Sequence, residues 1–376
     1  MVERVKVAAM KDNKLTINWI SPRPSLAGGV KSNRLIAEAM VYRGHRVNIV
    51  YVDLPPKMPP IWRIRTFIRY WIKRYRNRKQ AHHFEKSTAN LIPVRRRPII
   101  EADVPDADVT IATWWETAHW IKEWSDRKGK KAYFIRHHEL HGGDTESVKE
   151  TYRLPYKKLV IANWLMRVMA EDYGDENSVL IPNGVDWQQF NYQPRSKQSI
   201  PTVGMLYGIV EWKGAATAFQ AIRIVQRTIP ELKVICFGSH QLKPEHKPPE
   251  NFEYFFRPAQ DLIPELYKRT DCWLLPSTLE GFGMPGIEAA ACGCPVVATR
   301  CGGPEDYIKD GHNGFLVNVG DAQDMAEKMI RVLSMDEQLW CEMSGNSASY
   351  VKSFDWDKSA EILEFALLNE ITNHRE

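Results

Sequence analysis

STLEGFGMPGIEAAACGCPVVATRCGGPEDYIKDGHNGFLV, residues 277–317, is the stretch that decides the fold. The run Asp271–Leu275 just before it reads as a short buried strand. A glycine-punctuated loop follows, Leu279 to Gly283, with Glu280 inside it. Pro285 stands where a helix would begin, the position a proline tolerates best. The helix carries Glu288 among small residues and ends at Cys292-Gly-Cys-Pro295; Val296–Ala298 then starts another strand. A strand, a glycine-rich turn and a helix N-terminus form an anion site, because the first helical N–H groups have no partner within the helix. Two carboxylates flank it. Such a place takes an anion and hydroxyl groups together, the chemistry of a nucleotide sugar.

Working outward, the same β/α alternation appears on both sides. Upstream, Leu15–Ile20, Val47–Val52, Asp108–Thr113, Lys131–Ile135, Lys158–Ala162 and Ser178–Ile181 read as strands. Helical patterns lie over Val30–Tyr42, Trp115–Trp124 and Trp164–Asp172. The opening β–loop–α–β lacks the GxGxxG dinucleotide fingerprint. Asn191–Ser199 is polar and holds a proline, and a domain boundary is placed there. Alternation then restarts with strands Thr202–Leu206, Lys233–Phe237 and Phe252–Phe256. Helices are expected over Ala215–Thr228, Asp261–Arg269, Ala322–Leu333, Met335–Val351 and Lys358–Ile371. Two runs of alternation predict two doubly wound domains, with ligands at the carboxyl ends of their strands.

A chain of 376 residues is comfortable for two such domains. No run of 18 apolar residues spans a membrane, and the charged N-terminus has no signal-peptide pattern. The six cysteines form no CxxC pair and no disulfide-like framework, so buried thiols of a cytoplasmic protein are expected. Charge is uneven. Residues 1–195 hold 34 Lys and Arg against 21 Asp and Glu, whereas the remainder holds 17 against 25. The basic first half is suited to something anionic. Within it, 61–79 (IWRIRTFIRYWIKRYRNRK) is a basic amphipathic segment. It reads as a helix on an anionic membrane surface, as a site for an anionic acceptor, or as a plain surface helix. No recognition motif supports nucleic acid.

Glu280-x7-Glu288, Gly281-Phe-Gly283, Cys301-Gly-Gly-Pro-Glu305, Ile181-Pro-Asn-Gly-Val-Asp186 with Phe190, Lys213-Gly214 and Asp310-Gly-His-Asn-Gly314 occur here in one order. In that order they resemble the family-4 retaining glycosyltransferases, the glycosyl transferases group 1. The resemblance implies the GT-B fold: α/β, two Rossmann-like doubly wound domains facing a central cleft, and a C-terminal helix crossing back to the first domain. The expected division is 1–195 on the acceptor side, 196–355 for the nucleotide-sugar donor, and 356–376 for the last helix.

The resemblance also implies roles. Glu280 would contact the donor sugar hydroxyls and Glu288 the ribose hydroxyls. Gly281, Phe282, Gly283 and Met284 would offer backbone N–H groups to the leaving diphosphate, with Lys213 as its cation. Gly28 and Gly29 would approach the diphosphate from the first domain. His137, with His138 next, would stand near the reacting sugar. Each has a plainer alternative: a capping Glu, an exposed helix Glu, a turn lysine, a simple helix start, loop histidines. His137-His-x-x-His could suggest a metal, but no further ligand completes it, and no metal cofactor is expected. One departure stands out. The family carries an Arg after the glycine that precedes Lys-Gly, whereas Gly204-Met205-Leu206-Tyr207 has none, which leaves Lys213, backbone amides and Arg300.

The expected protein is therefore a cytoplasmic transferase, peripheral on the membrane if 61–79 binds there. It would move a hexosyl unit from a nucleotide diphosphate sugar, its co-substrate, to an acceptor hydroxyl with retention. The acceptor would be a glycan, a lipid-linked molecule or a small molecule, as in polysaccharide or glycolipid biosynthesis. The alternatives are a GT-B nucleotide-sugar epimerase, a phosphorylase-like enzyme, or an inactive sugar- or membrane-binding protein.

Overall fold

Strands of a parallel sheet covered on both faces read as continuous apolar runs, and this chain supplies them twice. The computed structural model describes residues 14–25, 27–54 and 82–372, which fall into two compact units. The first comprises the chain up to Val160, Met169–Ile181 and Asp357 onward; the second comprises Ile161–Val168 and Pro182–Trp356. The basic amphipathic segment 61–79 lies outside the described residues. No helix among the described residues is long and apolar enough to cross a membrane.

The first unit holds β1 (Thr16–Ser21), β2 (Arg46–Val52), β3 (Asn90–Val94), β4 (Val109–Ala112), β5 (Lys130–Ile135), β6 (Lys157–Val160) and β7 (Val179–Leu180). They form one parallel sheet in the order β3-β2-β1-β4-β5-β6-β7. β3 contains Pro93, which argues against a strand in the sequence. It is tolerated because β3 is an edge strand, where a missing N–H costs no ladder bond on the open side. The helix Thr145–Tyr152 also went unread, its start marked only by Asp144, whose carboxylate accepts from the Ser147 amide at 3.0 Å.

The second unit holds β8 (Thr202–Tyr207), β9 (Lys233–Gly238), β10 (Phe252–Phe256), β11 (Cys272–Leu275), β12 (Val296–Thr299) and β13 (Gly314–Val317), ordered β10-β9-β8-β11-β12-β13 and all parallel. The helices Ala215–Gln226 and Ala322–Leu333 bury Ala218, Phe219, Ile222, Met325 and Met329 in one core with β8, β9 and β11. Order reverses between β8 and β11, so the loops after those two strands open at the switch point, where doubly wound sheets hold their ligands.

The chain divides at Ile181/Pro182, before the polar stretch in which sequence composition places the boundary. The reason is local. Gln189 Nε2 donates to the Gln260 carbonyl at 2.6 Å, and Arg195 Nη2 donates to the Thr270 carbonyl. Arg195 lies over the Trp340 ring, 4.6 Å from its centroid. A segment polar in composition is thus packed on the second unit by its polar groups.

The last helix, Trp356–Thr372, is counted with the first unit from Asp357 onward. Glu364 anchors it there, accepting from Arg43 Nε at 2.8 Å and Nη2 at 2.5 Å. Its other oxygen meets His45 Nε2 at 2.9 Å, while His45 Nδ1 accepts the Leu15 amide at 3.1 Å. His45 is thereby the neutral Nε2–H tautomer. Burial, outweighing the pull of Glu364, lowers its pKa from the ordinary value. Below about pH 6.5 the unfolded chain takes the proton first. Stability is therefore complete above that value and is lost as pH falls through the lower folded value. Thermal melts from about pH 8 down to about pH 5 should show the wild type losing more Tm than His45→Gln, which cannot titrate. Parallel profiles would contradict this.

Candidate active site

β11 delivers the chain at Leu275 to the loop Pro276–Gly283, and the helix Met284–Ala291 follows. Gly283 is the N-cap at φ 81°, ψ 49°, a left-handed conformation that glycine adopts without strain. Glu280 is fixed on both sides of its backbone: its amide donates to the Cys301 carbonyl at 2.9 Å, and its carbonyl accepts from Gly303 at 3.4 Å. Its carboxylate is 9 % exposed as a residue, and Oε1 accepts from Lys213 Nζ at 2.5 Å and from Ser277 Oγ at 2.7 Å.

Lys213 comes from the other side of the switch point. It ends the short 3-10 turn Glu211–Lys213 after β8. The next residue, Gly214, has φ 66°, and a Cβ there would stand 1.9 Å from the Pro276 carbonyl oxygen. The Thr278 amide donates to the Trp212 carbonyl at 2.7 Å. Lys-Gly is thus the pair that lets one loop lie against the other and brings the ammonium onto Glu280. Gly204–Tyr207 are strand, and Met205 is fully buried, so the loop glycine that precedes Lys213 is Gly208. Ile209 follows it and offers no charge. Arg300 is half-exposed, with Nη2 3.9 Å from Asp310 Oδ2.

Glu288 lies in the helix, buried, with Oε2 accepting from the Tyr267 hydroxyl at 3.2 Å. Tyr267 is enclosed by Trp273 (centroids 4.6 Å), Phe190 (5.9 Å) and Phe237 (6.0 Å). Burial first, and Glu288 second, push its phenol far above the ordinary value, so it stays a donor. Tyr267 is a residue that sequence reading missed; a tyrosine in a short helix gives no sign of its partner.

Glu280, Lys213, Gly281–Met284 and Glu288 belong together on two loops and one helix of the second unit. Gly28, Gly29 and His137 belong to the first. Gly28 and Gly29 open the helix Gly28–Tyr42 with nothing within 4 Å of a Cβ at either. His137 follows β5; its Nδ1 lies 3.0 Å from the His138 carbonyl oxygen and its ring meets that of His141 edge-on at 4.9 Å. His138 Nε2 meets the Tyr173 hydroxyl at 2.8 Å. Burial lowers the pKa values of His138 and His141.

Glu139, between these histidines, also escaped the sequence reading. It is fully buried, Oε2 accepts from the Tyr133 hydroxyl and the Trp115 amide at 2.8 Å each, and its own amide donates to Tyr152 Oη at 2.8 Å. Burial pushes its pKa up to about 8. At neutral pH it is largely a neutral acid that ties the histidine turn to the loop after β4. Among the described residues no group of three His, Cys, Asp or Glu side chains gathers as for a metal ion.

The architecture is that of GT-B proteins: two parallel-sheet Rossmann-like units. Anabaena Alr3699/HepE, solved with UDP and glucose, superposes with a TM-score of 0.70 at 16 % identity over 94 % of this chain and 100 % of that one. Sucrose-phosphate synthase from Thermosynechococcus elongatus gives 0.68 at 15 % over 96 % and 100 %. Residues 188–349 match the family described as glycosyl transferases group 1. The uncharacterized glycosyltransferase MJ1178 of Methanocaldococcus jannaschii is 27 % identical over 233 residues, 58 % of this chain and 64 % of that protein. A D-inositol 3-phosphate glycosyltransferase of Streptomyces bingchenggensis is 38 % identical over 107 residues, 28 % of this chain and 23 % of that protein. The match spans less than two thirds of either relative.

Because Gly214 has both a left-handed backbone and a carbonyl in the way, Gly214→Ala should lower the urea midpoint by the equivalent of about 1–3 kcal/mol. Gly28→Ala, in open space, should change it by less than about 1 kcal/mol. Equal midpoints for the two variants would overturn the account of the Lys-Gly pair.

Proposed function

We propose that this protein is a glycosyltransferase that moves a sugar from a nucleotide diphosphate sugar to an acceptor hydroxyl, with retention at the anomeric carbon and without a divalent metal. The observation that carries the reading is the meeting of Lys213, Ser277 and Glu280 at the switch point, next to the amides that begin the helix Met284–Ala291. Lys213 gives up Glu280 for the diphosphate and neutralises it as it leaves. Glu280, released, accepts from hydroxyls of the donor sugar and fixes its orientation. Glu288, held by Tyr267, accepts from the ribose. The bond from the anomeric carbon to the phosphate oxygen breaks, the acceptor oxygen bonds the same face, and its proton passes to the departing phosphate. The reading names no covalent nucleophile on the protein.

Gly28, Gly29 and His137 are the first unit's proposed contributors to substrate binding. Acceptor recognition also falls to that unit, and its basic balance suits a glycan or lipid-linked acceptor that carries negative charge. UDP-glucose is the first donor to test, since the Alr3699/HepE structures hold UDP and UDP-glucose.

The experiment is nucleoside diphosphate release by the purified protein across a panel of nucleotide sugars, with and without EDTA. Glu280→Ala and Lys213→Ala should each lower the rate on the order of a hundredfold or more. EDTA should leave it unchanged, and NMR of the product should show the donor's anomeric configuration. Wild type and both variants releasing nucleotide at one equal slow rate from every donor would overturn the reading.

A further inference from the structure

The loop of residues 281–284 is held by two aromatic side chains from elsewhere in the second unit. Trp164 Nε1 donates to the Gly281 carbonyl at 2.9 Å, and the Tyr307 hydroxyl donates to the Gly283 carbonyl at 2.9 Å. Tyr307 is fully buried and Trp164 is half-buried. Burial raises the Tyr307 phenol well above its ordinary value, so it keeps its proton.

A peptide group is planar, and in the trans form its C=O and N–H point in opposite directions. The only cis peptide among the described residues is Arg97-Pro98, so both bonds here are trans. Holding the Gly281 carbonyl therefore fixes the plane that carries the Phe282 N–H and aims it away from Trp164. Holding the Gly283 carbonyl does the same for the Met284 N–H, away from Tyr307. Among the described residues neither amide donates to a protein acceptor. A hydrogen bond to the carbonyl also polarises the N–H across the same peptide, strengthening it as a donor.

The glycines around the loop make room for the two aromatics. A Cβ at Gly302 would stand 2.7 Å from Trp164 Nε1. One at Gly286 would stand 2.3 Å from the Tyr307 hydroxyl, and one at Gly283 would stand 2.9 Å from it. At Gly303 a Cβ would strike the Phe282 backbone at 2.2 Å. Four glycines in two separate motifs thus serve one arrangement, in which alternate peptides are pinned from behind and their N–H groups face forward.

We propose that Trp164 and Tyr307 are positioning residues that aim the Phe282 and Met284 amides at the phosphate that bears the donor sugar. The inference rests on the glycosyltransferase reading and adds who sets the geometry of its leaving-group site. Neither residue touches the ligand; each acts through one peptide plane.

The test uses the whole protein, with UDP and UMP as calorimetric probes, because UMP lacks the sugar-bearing phosphate. Trp164→Phe and Tyr307→Phe keep the rings and remove the donors. Each should weaken UDP about tenfold, the worth of one hydrogen bond to a charged group, while UMP changes less than about twofold. In amide NMR spectra Trp164→Phe should shift the Phe282 resonance and Tyr307→Phe that of Met284, each leaving the other in place. If wild type binds UDP and both variants hold it equally well, the positioning role is overturned while the function stands. If UDP and UMP weaken together, the side chains merely support the fold and the proposal also fails. If wild type binds no nucleotide, the function itself fails. Should Trp164→Phe not fold, Tyr307→Phe and the Met284 resonance decide.

Discussion

One carboxylate oxygen, Oε1 of Glu280, accepts from an ammonium at 2.5 Å and a hydroxyl at 2.7 Å, and much of the second unit is arranged to permit that contact. Lys213 follows β8 and Glu280 follows β11, strands that neighbour each other only because the sheet reverses its order between them. For the loops to meet, Gly214 must lie against the Pro276 carbonyl with no side chain in the way. For Glu280 to hold still, Gly302 and Gly303 must admit Trp164 and the Phe282 backbone. A carboxylate this buried needs donors, and the fold supplies them from two loops at once. The glycines are spent on approach more than on flexibility.

What could be read from the sequence was what lies close along the chain. Nearly every strand showed as an apolar run because both faces of each sheet are covered. The helix Ala322–Leu333 was legible end to end, its polar and apolar faces being sharply separated. Glu280, Glu288 and the intervening turn announced themselves by spacing. β3 was hidden by Pro93, which reads as a strand breaker until the strand is known to be an edge. β13 was read as a motif, not as a strand. Contacts divide the chain earlier, at Ile181/Pro182, and composition cannot show that Gln189 and Arg195 find their partners on the second unit.

The unread part of the site shares one property: its contacts join residues far apart in sequence. Trp164 reaches Gly281, Tyr267 reaches Glu288 and Tyr307 reaches Gly283. Nothing local marks these aromatics apart from other core residues. Glu139 is a different case. It stood in view within a histidine-rich turn, but that pattern drew attention to metal chemistry. The structure buries it, and burial raises its pKa despite the Tyr133 hydroxyl and the Trp115 amide that it accepts from, which removes a charge from the turn. The cysteines follow the same rule of burial: it raises the thiols of Cys236, Cys272, Cys292, Cys294 and Cys301, which makes them packing groups.

The two carboxylates of the site are held by different kinds of partner, and the difference bears on what each can do. Tyr267 is a rigid ring wedged among three aromatics, so the oxygen it holds on Glu288 has one orientation. Lys213 is a point charge on a flexible stem, its side chain 28 % exposed, and can turn to another anion without disturbing the fold. Ser277 is buried, its own carbonyl bound by Thr299 Oγ1, and it holds Glu280 independently of Lys213. A group that must recognise the same ribose in every donor gains from a fixed partner. A group that must accept sugar hydroxyls only when phosphate has arrived gains from a partner that phosphate can take away. In the proposed exchange charge stays in balance, since the ammonium would take the diphosphate as its anion and Glu280 would pass from one donor to others.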